Sequence, residues 1–239
     1  MAENFGTTRY EAPGQVLASS TVSRTFLFNV YNWMALGLAI TALISYFVAR
    51  SETLMTLFFG NPVLLIGVII MQFVVVLALS FALNKIPPVA AVAAFFFYAA
   101  LTGITFASLF IVYTGASIAS TFFICAGMFA GVSVFGYITK MDLSGMGTFL
   151  FMALIGLILA SVVNIFLSSS TLYWIISYAG VLIFVGLTAY DTQQIKKMSM
   201  NIDADSDTGK RAAIFGALKL YLDFINLFLL LLRIMGDRR

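Results

Sequence analysis

Seven runs of apolar residues alternate with short polar joints along this chain. The runs lie at 26–49, 62–83, 89–113, 116–138, 147–167, 172–190 and 213–234. An α-helix needs about 20 apolar residues to cross a bilayer, and short joints make consecutive helices antiparallel neighbours. Only the sixth joint, 192–211, is long. The pattern predicts an all-α, polytopic membrane protein with seven transmembrane helices.

These runs divide the chain into a polar N-terminal tail (1–25), a seven-helix bundle (26–234) and a short basic C-terminal tail (235–239). The composition agrees, because 62% of residues are hydrophobic and 10% charged, against about 25% charged in an average soluble protein. The chain has no histidine and one cysteine, Cys125, which excludes Ser-His and Cys-His catalytic pairs, histidine-bound zinc and an internal disulfide. The partner that this composition indicates is the lipid bilayer. No basic cluster predicts binding to nucleic acid.

Positively charged residues predict the orientation, because they accumulate in cytoplasmic joints. With a cytoplasmic N-terminus, that side holds Arg9, Arg24, Lys85, Lys140, Lys196, Lys197, Lys210 and Arg211, whereas the opposite joints hold only Arg50. The arginines at 233, 238 and 239 then leave on the far side if the seventh run spans, and stay inside if it is re-entrant. We expect seven full spans, because 213–234 is long enough.

Two carboxylates lie in or directly after these apolar runs. Asp191 follows directly on run 172–190, and Asp223 lies within run 213–234. A charged side chain at bilayer depth costs about 3 kcal/mol or more, so such residues are functional candidates by default. Lys219, Asp223 and Asn226 are spaced i, i+4 and i+7, which puts them on one stripe of a helix. This stripe predicts that the seventh helix is enclosed by the other six.

Two carboxylates that meet in a low-dielectric bundle cannot both ionise cheaply, and one proton can bridge them. Protonated, the pair would clamp the sixth helix to the seventh; deprotonated, it would repel itself or attract a divalent cation such as Ca²⁺. Lys219 could instead neutralise Asp223 and weaken this switch. The alternative for Asp191 is a solvated carboxylate at a helix end. Gly127 and Gly131 form a GxxxG, which is typical of close helix packing.

The segments Ala-Tyr-Asp-Thr-Gln-Gln-Ile-Lys (189–196) and Leu-Tyr-Leu-Asp-Phe-Ile-Asn-Leu-Phe (220–228) resemble the C-terminal signature of the Bax inhibitor-1 family, whose bacterial inner-membrane branch is most similar. The resemblance implies six helices around a central seventh and a pH-sensitive calcium leak gated by Asp191 and Asp223. Family members can carry an arginine near the second joint that latches onto the sixth-helix aspartate, and here Lys85 is the nearest basic residue. Some bacterial relatives bind a membrane-bound AAA protease.

The first expectation is therefore a non-enzymatic Ca²⁺ leak without a resident cofactor, with Ca²⁺ as the permeant ion, and an H⁺-coupled antiporter is a variant of it. A regulatory protein that binds another membrane protein, such as a protease, is a second class. An intramembrane aspartyl protease is a third, but the glycines of its usual GxGD motif are missing before Asp223.

Overall fold

A computed structural model of the chain describes residues 13–82, 85–200 and 202–239, with side chains from residue 24 onward. In this part of the chain the order of elements is α1 (Pro13–Arg50), α2 (Glu52–Phe59), α3 (Pro62–Ala82), α4 (Pro88–Phe106), α5 (Leu109–Val112), α6 (Gly115–Ile138), α7 (Ser144–Leu167), α8 (Ser170–Ser199) and α9 (Asp207–Met235). Seven segments are long and apolar enough to cross a membrane, with α4 and α5 forming one of them. The predicted all-α, seven-span class is confirmed.

The ends of the helices follow local chemistry. Pro62 is the first residue of α3, a position where a backbone N–H would have no partner within the helix, so the proline costs no hydrogen bond. The Asn61 side chain accepts hydrogen bonds from the backbone N–H groups of Val63 and Leu64. Serine and threonine side chains cap the first turns of α2, α6, α8 and α9 in the same way.

The helix α9 forms the centre of the bundle. In its most apolar stretch 72% of residues are buried, against 6% in α3 and in α7. The helices α1, α4, α6 and α8 pack directly on α9, whereas α3 packs on α4 and α7 packs on α8. The prediction of a central C-terminal helix is confirmed, and four of its six neighbours provide the main contacts.

Three boundaries differ from the sequence prediction. The helix α1 already begins at Pro13, inside the predicted tail 1–25, of which residues 1–12 lie outside the described residues. Residues 14–25 contain no proline, and their one glycine, Gly14, lies in the first turn, so no residue in the interior of this segment stops a helix. The helix α8 continues past the apolar run to Ser199, and α9 begins at Asp207. The hydropathy pattern marks only where the lipid ends, and helix formers such as Gln194 and Lys196 extend the helix beyond it.

The two ends of the bundle are distinguished by their joints. One end, here called the lysine face, carries the α3–α4, α6–α7 and α8–α9 joints. The other, the C-terminal face, carries the α1–α2, α5–α6 and α7–α8 joints and residues 236–239. The last residues pair with the α5–α6 joint, because Arg239 donates its N–H to the Val112 carbonyl and Thr114 donates to Asp237. The seventh helix therefore spans the bundle, as predicted, and Arg233 and Arg238 lie at the end opposite Lys196.

Candidate functional site

Asp191 lies inside α8, where it faces α9. Its residue is 7% exposed, and the Lys219 ammonium donates a hydrogen bond to its Oδ1 over 2.9 Å. The alternative reading of Asp191 as a solvated helix-end carboxylate is wrong, because α8 continues for two further turns beyond it. The buried charge of Asp191 is thus compensated by a cation from the neighbouring helix.

Asp223 follows Lys219 by one turn on the same stripe of α9. It is 5% exposed, and its Oδ2 has no hydrogen-bond partner among the described residues. Its carboxylate interacts electrostatically with both Asp191 and Lys219. The structure therefore brings the three groups together at the α8–α9 interface, with Lys219 bonded to Asp191 rather than to Asp223. A direct hydrogen bond between the two carboxyls stays a prediction, since it requires a shared proton.

The third residue of the stripe has a local partner. The Asn226 amide donates to the Leu222 carbonyl one turn earlier on α9, over 2.8 Å. On the opposite side of α9, the buried Tyr221 hydroxyl lies 2.7 Å from Thr41 Oγ1. The Thr41 hydroxyl in turn donates to the Ala99 carbonyl over 2.9 Å. Through Thr41, Tyr221 joins α9 to α1 and α4 on the side of the helix opposite the carboxylates.

Lys85, the predicted latch residue, is exposed at the α3–α4 joint. Its ammonium forms no ion pair with the residues that the structure describes. The basic residue that reaches this joint is Arg211, whose Nη1 donates to the Ile86 carbonyl over 3.2 Å. Arg211 is not among the site residues that the sequence predicts, because the apolar run begins after it. Extending the predicted seventh helix back to Asp207 would have placed Arg211 in its second turn and identified it as a candidate.

The end of α8 beyond Asp191 binds the α6–α7 joint. The Gln193 amide donates to the Met141 carbonyl over 2.7 Å, and its Oε1 accepts from the Leu143 N–H over 2.9 Å. Lys197 forms a 2.7 Å ion pair with Asp142. This hydrogen-bonded Lys197, assisted by Ser144, lowers the pKa of the Asp142 carboxyl from 3.8 to about 2. These contacts fix the turn of α8 that carries Asp191.

The donor set at the pair can be compared with what Ca²⁺ requires. A resident Ca²⁺ takes about six to eight oxygen ligands. Here two carboxylates are available, one of them is bound to an ammonium, and the described residues contain no group of three or more His, Cys, Asp or Glu side chains that could hold a metal ion. Asp191 and Asp223 alone thus provide fewer oxygen ligands than a permanently held Ca²⁺ requires.

Comparison with known proteins agrees with the fold and the signature. The family described as "Inhibitor of apoptosis-promoting Bax1" matches residues 23–239. The chain belongs to the Bax inhibitor-1 family. Its relatives include the Inner membrane protein YbhL of Escherichia coli (strain K12), which is 53% identical over 217 residues, covering 90% of this chain and 93% of that protein.

Further members come from distant bacteria. An uncharacterized protein of Borreliella burgdorferi is 48% identical over 218 residues, covering 91% of this chain and 94% of its own. An uncharacterized membrane protein of Streptococcus pyogenes serotype M3 is 36% identical over 213 residues, covering 88% of this chain and 92% of that protein. This Bax inhibitor-1 family member is thus a polytopic membrane protein, like the relatives whose names state a membrane location.

Proposed function

We propose that this member of the Bax inhibitor-1 family is a pH-sensitive Ca²⁺ leak in the inner membrane, gated by Asp191 and Asp223. The observation that carries the proposal is the Asp223 carboxylate, which is enclosed in the bundle with one oxygen unpartnered among the described residues. A carboxylate in such surroundings requires a proton or a cation to compensate its charge. Proton and cation then compete for one site.

Lys219 gives this competition a direction. Its ammonium is hydrogen-bonded to Oδ1 of Asp191. Lys219, Asp191 and Asp223 together therefore carry one positive and up to two negative charges. With a proton on Asp223 the three groups are neutral in sum, and the site offers little to a divalent cation. Loss of that proton leaves a net negative charge at the α8–α9 interface, which attracts Ca²⁺ and favours displacement of Lys219. We therefore expect the leak to increase as pH rises.

Support for the location comes from the seven apolar spans and from a relative named as an inner membrane protein. The distribution of lysines and arginines predicts that the N-terminus, and hence the lysine face, is cytoplasmic. A regulatory role through a partner such as a membrane-bound protease stays a prediction from the resemblance alone.

The test is Ca²⁺ flux into liposomes that contain only this protein, at pH 6, 7 and 8. Asp191→Asn and Asp223→Asn should each change the pH dependence of the flux, since each removes a group that competes for protons or cations. Asp205→Asn is the matched control, because Asp205 is an exposed acid in the α8–α9 joint. Absence of flux at every pH, or equal effects of all three substitutions, would contradict the proposal.

A further inference from the structure

A cavity of about 670 Å³ opens between α1 and α6 in the half of the bundle next to the C-terminal face. Both helices pack on α9, but they do not pack closely on each other. The floor of the cavity is the apolar surface of α9 at Phe224, Ile225 and Phe228. Residues of the outer surface line its open side, including Ala119 and Phe123, whose side chains face the surroundings of the bundle. The cavity is therefore accessible from the lipid.

The walls and the mouth of this cavity differ in chemistry. Its walls are mainly aliphatic and aromatic, whereas Arg50 and Arg239 border it at the C-terminal face. Neither guanidinium forms an ion pair with the described residues. Arg50 lies over the Tyr46 ring, 4.7 Å from its centroid, and the Arg239 backbone is held by the Val112 carbonyl. Two cations thus stand at the entrance to an apolar space.

The depth of the cavity matches one leaflet of a bilayer. Along α1 its lining runs from Arg50 to Leu38, twelve residues apart, which corresponds to about 18 Å of helix. Half of a hydrocarbon core about 30 Å thick is about 15 Å. The lining therefore extends from headgroup level to the middle of the membrane.

We propose that this cavity binds an anionic phospholipid of the leaflet at the C-terminal face. The phosphate lies between Arg50 and Arg239, where guanidinium groups donate charge-assisted hydrogen bonds to its oxygens. One acyl chain enters between α1 and α6 and covers the buried face of α9. A soluble phosphate would use only the mouth, and the apolar depth with its open side is what favours a lipid.

The proposal is tested by native mass spectrometry of the detergent-purified protein, titrated with phosphatidylglycerol, phosphatidylcholine or glycerol 3-phosphate. We expect phosphatidylglycerol to bind more tightly than the other two. The Arg50→Gln/Arg239→Gln variant should weaken its binding about thirtyfold, because each basic residue near a lipid headgroup contributes about 1 kcal/mol and the two together about 2 kcal/mol. Ala119→Phe should also weaken it, since the added ring fills the cavity from an exposed position.

Two control variants distinguish this site from general attraction. Arg233→Gln/Arg238→Gln removes the same charge from the same face outside the cavity, and Ala130→Phe makes the same alanine-to-phenylalanine change at an exposed position in the other half of α6, away from the lining. Both should bind phosphatidylglycerol like the parent protein. Equal losses in the two arginine variants, unchanged binding in Ala119→Phe, or binding of glycerol 3-phosphate as tight as that of phosphatidylglycerol would each overturn the proposal. None of these measurements depends on Ca²⁺ flux.

Discussion

Lys219 of α9 donates a 2.9 Å hydrogen bond to Asp191 of α8, although Asp223 is its neighbour one turn away on its own helix. The ammonium thus links the two helices that carry the family signature. It leaves Oδ2 of Asp223 without a hydrogen-bond partner among the described residues.

The energetic coupling of this ion pair is measurable by a double-mutant cycle. Lys219→Met should lower the free energy of unfolding by about 1–2 kcal/mol. Breaking a buried pair costs about 3–5 kcal/mol, and the Lys219 side chain is 36% exposed, which reduces the loss. Thermal or denaturant unfolding in detergent at pH 7.5 measures it. Adding Asp191→Asn should recover most of the loss; strictly additive effects of the two substitutions would show that the pair is not coupled.

Asp142 provides a prediction on pH outside the membrane. Because the Lys197 bond holds the pKa of Asp142 at about 2, its stabilising contribution is complete above the ordinary value of 3.8 and is lost only as pH falls through about 2. Asp142→Asn should therefore lower the Tm equally at pH 6, 7 and 8. It should also leave the pH profile of Ca²⁺ flux unchanged, and a shifted profile would mean that Asp142 takes part in gating.

At Gly136 the close approach of α6 to α8 leaves no room for a side chain. A Cβ at this position would overlap the backbone carbonyl of Ala189, two residues before Asp191. Gly136→Ala should destabilise the protein by about 1–3 kcal/mol, as overpacking does, and lower its Tm in detergent. Gly127→Ala is the control on the same helix, because nothing lies within 4 Å of its Cβ; an equal loss there would point to helix propensity or lipid contact instead.

The Tyr221 hydroxyl should contribute to stability rather than to ion passage. Tyr221→Phe removes its bond to Thr41 and keeps the ring in its buried position, so we expect a loss of about 1 kcal/mol. Thr41→Val should cost more, because it also leaves the Ala99 carbonyl without its side-chain donor. Unfolding measurements should give this order, and the reverse order would be inconsistent with the network.

The orientation of the bundle can be read by cysteine labelling in a Cys125→Ser background. The joints at Lys140 and Ser170 lie on opposite faces. A membrane-impermeant maleimide applied to intact spheroplasts should label Ser170→Cys and spare Lys140→Cys until the membrane is permeabilised. The opposite labelling would place the lysine face outside and refute the orientation predicted from positive charge.

The sequence identified Asp191 and Asp223 because a carboxylate in an apolar run stands out by its cost. It did not identify the partner of Lys219. Spacing along α9 favoured Asp223, but the rotation of α9 against α8 decides that the ammonium reaches Asp191, and rotation depends on the packing of four helices at once. The polar stripe on the seventh helix and the family resemblance both predicted the central helix, which hydropathy alone does not distinguish from the other six.

Other features depended on contacts that no local pattern records. The GxxxG of Gly127 and Gly131 predicted close packing, and this is wrong, because both positions are open; Gly136, outside the motif, makes the close approach. By position in the chain, Lys85 is the basic residue nearest to the latch position at the second joint. Arg211 reaches it instead, because α9 begins before the apolar run and carries the guanidinium to Ile86.

The helix α9 is attached at both ends. Arg211 binds the α3–α4 joint on the lysine face, and the residues after Met235 pair with Val112 and Thr114 on the other. A rod fastened at both ends resists axial sliding and rotation about its long axis. Asp223 is therefore held at one height in the bundle, and in the proposed leak mechanism the surrounding helices, rather than α9, would move.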